Sequence, residues 1–481
     1  MRFLVPPVLA SLLVLWVPSA VVRANESRPV LEPLPPAVNS LLLNLGEGQI
    51  GLTQGLWLQG GGVNWQPDQL QTFLQSVRSA VSAHPDVRAA SAARGASRQA
   101  IREAEAARWP QVSAQLDNGR KSNDPSTLLN TPARDHSSAA FTVTVRQLLY
   151  DFGASGGVIA GSTARDEQAM FRLHLTRSDV ALRAIQAFHE MVRTGRQLAL
   201  ARSNEQARAA IVDLVKQRQV IGGGTLSDVV RAQSRLAEAA AITASAQQRL
   251  GVAKAVYREV FNQAPSDDGA SADLVFAVNL EDDFRLQLSQ SGAETWKVRM
   301  ALSARQAAQA EVAAAQGRSL PAINLELSNS RRDLVGPGSP GTDRSVMLVA
   351  RQSLFGGWAD TARIDQAVQK LRQADEELES SRREATRVLD QALMESESLT
   401  QIVQTRVASA RLAADSLRMV REQYAYRRGT LLDLLTAQES LYGAGRELID
   451  AQVDQAVARF KVLHSASLLN RFVSIDAESA K

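Results

Sequence analysis

Arg146-Gln147-Leu148-Leu149-Tyr150-Asp151 returns as Arg351-Gln352-Ser353-Leu354-Phe355-Gly356, a shift of 205 residues. The same shift lays Gly224-Thr225-Leu226-Ser227-Asp228 on Gly429-Thr430-Leu431-Leu432-Asp433, then Ala232-Gln233 on Ala437-Gln438 and Leu236 on Leu441. Matches at one offset in separated segments mark a duplicated architecture. A further pair, Trp109-Pro110-Gln111-Val112 and Leu320-Pro321-Ala322-Ile323, is offset by 211 residues. The length difference therefore falls between that proline and the Arg-Gln motif, where a surface loop absorbs it.

Working outward, each repeat has the same order of elements. A helical run rich in Ala, Gln, Arg and Glu ends at Pro110 or Pro321, since proline stops a helix. Then Val112, Ala114 and Leu116 alternate with Ser113, Gln115 and Asp117, as Ile323, Leu325 and Leu327 alternate with Asn324, Glu326 and Ser328. Period two predicts strands. Polar loops follow at Ser122–Ser138 and Arg332–Thr342, and alternation resumes at Phe141, Val143 and Val145 and, less regularly, at Val346, Leu348 and Ala350. Each repeat thus holds one β-hairpin, with strands over about 111–120 and 139–149, and about 321–331 and 344–354.

Beyond the hairpin the period becomes helical, at Ile185, Phe188 and Val192 and at Leu399, Ile402, Val403 and Val407. No proline occurs between Asp151 and Gly222 or between Gly356 and Gly429. A helix of about 65 residues would be about 100 Å long and needs neighbouring helices along its length. The Gly-Thr turns then start returning helices, Leu226 to about Phe261 and Leu431 to about Leu469.

The ends read differently. Arg2, an apolar run from Phe3 to Val22 and Val22-Arg23-Ala24 predict a signal peptide over 1–24, cleaved after Ala24, with an uncleaved anchor as the competing reading. A Pro/Gly-rich extension occupies 25–65, the first repeat 66–264, a linker 265–289, the second repeat 290–470 and a tail 471–481. The chain of 481 residues has no cysteine, so disulfides, thiolate metal sites and a lipid-bearing cysteine are excluded. No later segment reaches the roughly 20 apolar residues of a spanning helix, which leaves strands closed into a barrel as the only way across a bilayer. The net charge of +4 sits on interleaved residues, as on solvated helix faces, and does not argue for nucleic acid.

Enzyme chemistry finds no foothold. His84, His136, His174, His189 and His464 lack metal-ligand spacing, and neither a phosphate loop nor a nucleophile elbow is present. Gly222-Gly223-Gly224 has no strand leading into it and reads as a helix-to-helix turn. No cofactor and no metal are expected.

Four strands per chain leave two sheet edges, and in lipid only closure removes them. Three copies would supply twelve strands, with polar residues facing a wet lumen. Trp109, Tyr150, Phe152, Phe355 and Trp358 all fall at helix-to-strand boundaries, where membrane-interface aromatics gather. Singly, each would equally cap a soluble core.

The duplicated order of helix, Pro-strand, loop, strand ending in Leu-Tyr-Asp-Phe-Gly or Leu-Phe-Gly-Gly, long helix, Gly-Thr-Leu-x-Asp and helix resembles the TolC-type outer-membrane efflux proteins, over nearly all of residues 66 to 470. The likeness is to the type I secretion branch. It implies a mainly α protein with membrane β: a homotrimer whose twelve-stranded barrel lies in outer-membrane lipid above a periplasmic helical tunnel. Such a duct meets a periplasmic adaptor and an inner-membrane ABC or proton-driven pump. Drug or metal efflux is the alternative cargo, and a periplasmic coiled-coil adaptor without a barrel is the alternative class. The first copy carries the family's His84-Pro85-Asp86-Val87, whereas the second has Thr295-Trp296-Lys297-Val298.

In the family the turns between long and returning helices form the periplasmic tip. By that likeness Gly224, Thr225 and Asp228, with Gly429, Thr430 and Asp433, are candidate gate residues, and Tyr426, Arg427 and Arg428 candidate partners holding the tip shut. The same Thr and Asp residues fit helix-start capping boxes, which alone would account for them. Thr436 stands where close relatives carry a second aspartate.

Overall fold

The computed structural model describes residues 67–123, 134–220, 224–265, 295–332, 341–425 and 428–475. The signal segment, the extension at 25–65, nearly all of the linker, and Tyr426 and Arg427 lie outside the described residues. In chain order the elements are α1 (Pro67–Ala83), α2 (Pro85–Ala106), β1 (Gln111–Asn123), β2 (Arg134–Tyr150), α3 (Ala154–Val220) and α4 (Leu226–Phe261). The second half gives α5 (Trp296–Arg318), β3 (Ala322–Arg332), β4 (Gly341–Arg351), α6 (Ala359–Ala425), α7 (Leu431–Ser465) and the short α8 (Leu469–Phe472). No helix among the described residues is long and apolar enough to cross a membrane.

The two long helices have 67 residues each, or about 100 Å at 1.5 Å per residue. Their partners explain how they persist. Along α4 the buried positions Ala232, Ala239, Ala246, Ala253 and Val260 recur every seven residues, as do Ser396, Val403, Ala410, Leu417 and Tyr424 along α6. A strict heptad keeps one seam facing its neighbour in a left-handed supercoil, and the alanines let backbones approach closely. Ile402, expected on the packed face, lies beside that seam and is 40% exposed.

Midway along α3 a thicker belt forms. Phe460 and His189 are fully buried, and the rings of Phe73 on α1 and Phe188 on α3 stand 4.7 Å apart. His189 Nδ1 lies 2.8 Å from the Ile185 carbonyl oxygen, which satisfies the ring inside an apolar cluster. His84 caps α2, its Nδ1 accepting from the Asp86 N–H at 3.2 Å, and Pro85 suits the first helical turn. In the second copy Thr295 caps α5 in the same role. The returning helix α7 stops at Ser465 rather than near Leu469, because Ser467 turns left-handed (φ 60°). The Ser467 hydroxyl then accepts from the Trp296 N–H at 2.9 Å, tying the start of α5 to this belt.

The strands form one open antiparallel sheet in the order β1-β2-β3-β4. The outer edges of β1 and β4 are unpaired within the protomer. Directly paired residues share a face. Val112, Ala114 and Leu116 pair with Val145, Val143 and Phe141; Val145 pairs with Leu327 and Gln147 with Leu325; Leu327 and Leu325 pair with Val346 and Leu348. One face is therefore apolar across all four strands. The opposite face carries Ser113, Gln115, Thr142, Thr144, Arg146, Glu326, Ser328 and Arg351, interrupted by Leu148, Met347 and Val349.

Candidate functional site

At the helical end both turns close capping boxes. Thr225 Oγ1 accepts from the Asp228 N–H at 3.1 Å, while Asp228 Oδ2 accepts from the Thr225 N–H at 3.2 Å and its hydroxyl at 2.8 Å. The second copy repeats this between Thr430 and Asp433 at 3.2, 3.1 and 2.6 Å. Both carboxylates are exposed. The threonine hydroxyl bond, then the backbone N–H bond, hold both below the usual carboxylate range. Gly429 lies close under the end of α6: a Cβ there would stand 3.3 Å from the Tyr424 nitrogen.

The cross-helix contact near this end is made by residues that sequence reading did not single out. Arg218 on α3 donates from Nη2 to the Tyr424 carbonyl at 2.9 Å and lies 4.1 Å above that ring. Arg428 only closes the end of α6, its N–H donating to the Gln423 carbonyl at 2.8 Å. Further up, Arg208 pairs with Glu439, and Gln438 joins Asn204 at 3.2 Å and Arg421 at 3.3 Å. Polar pairing thus links α3, α6 and α7 below the apolar seam.

At the sheet end the five aromatics stand out from the protomer, Trp109 at 70% exposure and Phe355 and Trp358 at 75% each. None caps a core within one chain. Tyr150 packs on Phe152 at 4.7 Å and Phe355 on Trp358 at 6.0 Å. Phe152 (φ 52°) and Trp358 (φ 67°) occupy left-handed backbone where each strand becomes a helix, a conformation costing about 1 kcal/mol or more per non-glycine residue. Both repeats accept that cost at equivalent junctions. A register shift between Leu148 and Tyr150 makes a bulge, and it sets Tyr150 opposite Ile323 on the apolar face.

The repeated Arg-Gln motif acquires a structural reason. Gln147 Nε2 donates to the Arg108 carbonyl at 2.7 Å and Gln352 Nε2 to the Ser319 carbonyl at 3.4 Å, so each glutamine ties a strand end to the chain entering its hairpin. Arg146 and Arg351 converge on one carboxylate: Glu326 Oε1 lies 2.9 Å from the first and 3.0 Å from the second. Glu326 is only 13% exposed, its arginines 49% and 58%. Exposed pairs of this kind contribute at most about 1 kcal/mol each, so their larger effect is an excess positive charge on the polar face.

Just below the sheet, α3 meets α5 without side chains between them. A Cβ on Gly157 would stand 2.6 Å from the Ala314 nitrogen, and one on Gly317 2.5 Å from the Ala154 nitrogen.

A family model described as outer membrane efflux protein matches residues 77–256 and 288–463. The outer membrane efflux protein BepC of Brucella suis biovar 1 (strain 1330) is 27% identical over 349 residues, covering 70% of this chain and 74% of that one. The fold is shared with VceC of Vibrio cholerae (TM-score 0.71, 18% identity, 82% of this chain and 96% of that one). It is shared also with the CmeC outer membrane channel of Campylobacter jejuni (TM-score 0.72, 12% identity, 91% and 94%).

Proposed function

The chain belongs to the outer membrane efflux protein family, and from that premise we propose that three copies close their sheets into one barrel and act as the passive exit duct of a tripartite export system. The protein lies in the outer membrane with its helices in the periplasm. The observation that carries the trimeric duct is the sheet: four strands, one face apolar throughout, and both edges unpaired. Strand order β1 to β4 lets β4 of one copy run antiparallel to β1 of the next, so closure needs no rearrangement. The exposed aromatics at the helix-to-strand junctions would then sit at the periplasmic membrane interface. A heat-modifiable trimer in outer-membrane fractions that conducts in a planar bilayer is the expected result; a monomer soluble in the periplasm would sink the proposal and favour an adaptor.

The partners of such a duct are a periplasmic adaptor and an inner-membrane pump, ABC or proton-driven. For cargo we propose type I protein secretion, in keeping with the sequence likeness; small-molecule efflux is the second reading, supported by the description of the family and of BepC as efflux proteins. Cross-linking in intact cells followed by identification of the captured pump separates them: an ABC exporter supports protein cargo, a proton-driven pump the other.

At the tip, Asp228 and Asp433 would serve as caps and as rings of negative charge in the assembled trimer. The two roles separate by substitution. Thr430→Ala removes the cap, at a cost of about 1 kcal/mol, but keeps the carboxylate; Asp433→Asn keeps an acceptor and removes the charge. Block of potassium current by a trivalent cation should survive the first change and weaken in the second. Equal block in both variants would leave capping as the whole role. Because the folded carboxyl titrates below its unfolded value, the cap is fully present above about pH 3.9 and fades as pH falls through the lower folded value. Cation block should therefore persist at pH 5.

A further inference from the structure

The apolar face of the sheet does not stay apolar to its far end. Nearest the helices it carries Tyr150, Ile323 and Ala350, then Leu325 and Leu348, then Val112, Val145, Leu327 and Val346. Toward the loops the same face turns basic. Arg331 lies opposite Phe141 on one side and Thr342 on the other, Arg344 lies opposite Asn329, and Arg120 lies two pairs beyond Leu116 along β1. All three arginines are exposed. None has an acidic partner among the described residues, whereas on the opposite face Arg332 pairs with Asp343 at 3.2 Å and Arg146 and Arg351 share Glu326.

Their spacing suits one kind of ligand. Arg331 and Arg344 are diagonal neighbours on paired strands, about 7–8 Å apart at the backbone and within reach of long side chains. Two planar guanidinium forks at that spacing can converge on one tetrahedral anion, for which arginine is better built than lysine. Closing the barrel sets β1 of one copy beside β4 of the next, which brings Arg120 onto the strand adjoining Arg344. Each of the three protomer junctions then presents a group of three uncompensated positive charges.

The neighbourhood says what the anion is attached to. Directly toward the helices lie exposed Leu116 and Phe141, with Val346 beyond them, an apolar surface that accepts acyl chains. Arginine on a lipid-facing strand is costly at mid-bilayer and tolerated near the interface. With the helices in the periplasm, the basic end of this face lies in the outer leaflet.

We propose that Arg120, Arg331 and Arg344 form a collar that binds the phosphate groups of an anionic glycolipid of the outer leaflet, the lipid's acyl chains lying on the apolar rows beneath. The proposal rests on the duct reading, which sets this face against lipid. It makes the protein's outer rim a phosphate-specific lipid site that anchors the barrel in its own leaflet and, through Arg120, bridges adjacent protomers.

The test uses the full-length trimer in phosphatidylcholine nanodiscs, alone or doped with bisphosphorylated lipid A, dephosphorylated lipid A, or inorganic phosphate in the buffer. Native mass spectrometry should show the bisphosphorylated lipid retained through detergent exchange, and its presence should raise the trimer's melting temperature by several degrees. The triple variant R120Q/R331Q/R344Q should lose retention by about tenfold or more while trimerising and conducting like wild type. R332Q, on the opposite face, should bind lipid as wild type does. Equal retention of dephosphorylated lipid A, undiminished retention by the triple variant, or stabilisation by inorganic phosphate alone would each overturn the collar and leave the duct standing. A wild-type protein that neither trimerises nor conducts would overturn the duct and the collar with it.

Discussion

Gly317→Val should cost about 3 kcal/mol or more and leave little folded trimer, because the new side chain has nowhere to go. Overpacking usually costs about 1–3 kcal/mol when neighbouring side chains can yield. Here the first added atom would stand 2.5 Å from the Ala154 nitrogen and 2.7 Å from its Cα, and the obstacle is helix backbone. The only relief is to pry α5 from α3 immediately below the sheet, where both helices feed strands that must keep register. Gly157→Val should behave alike, since its Cβ would meet Ala314 at 2.6 Å. Gly251, in the middle of α4, provides the comparison: nothing lies within 4 Å of a Cβ there. Gly251→Ala should stabilise by about 0.5–1 kcal/mol through helix propensity. Thermal unfolding followed by circular dichroism, with gel mobility before and after heating, reads all three. If Gly317→Val melted like wild type, the close approach of α3 and α5 would be wrong.

Removing both arginines of the Arg146–Glu326–Arg351 cluster should change which ions the duct prefers. Each protomer carries two positive charges and one negative at this level of the polar face. In a closed trimer that face lines the lumen. R146Q/R351Q leaves Glu326 alone and should shift the cation-to-anion permeability ratio upward by roughly threefold or more, whereas E326Q should shift it downward. Opposite movements of the reversal potential in a salt gradient are the diagnostic, because a merely structural disturbance would move both variants the same way. The effect should be largest near 0.01 M salt and nearly vanish at 1 M, as the screening length falls from about 30 Å to about 3 Å. Movement in one direction for both variants would exclude this cluster as a determinant of selectivity.

The duplicated frame was legible in the residues themselves. Two offsets, period-two alternation and proline-free helical stretches located both hairpins and both long helices, because each signal is local. The Thr-Leu-x-Asp boxes were legible for the same reason: a cap is made by residues three apart. The strand limits shifted modestly, with β4 running from Gly341 to Arg351 rather than about 344–354. The Arg-Gln motif showed where the repeats align but not what it does, since Glu326, its shared partner, lies in a different strand pairing for each arginine.

What the sequence by itself determined is the inventory and its order: two copies of helix, hairpin, long helix, turn and returning helix, with one apolar side to every strand and aromatics at the junctions. Periodicity and turn chemistry act over a few residues, so a single chain displays them. Only the tertiary structure decided which of those residues meet. The bulge beside Leu149 put Tyr150 on the apolar face, the supercoil fixed the alanine seam, and bare glycine backbones set how closely α3 approaches α5. The sheet register gathered Arg146, Glu326 and Arg351 on one face while aligning Arg120, Arg331 and Arg344 on the other. Each of these depends on contacts between residues far apart in the chain, whose pairing is set by closure and packing rather than by local preference.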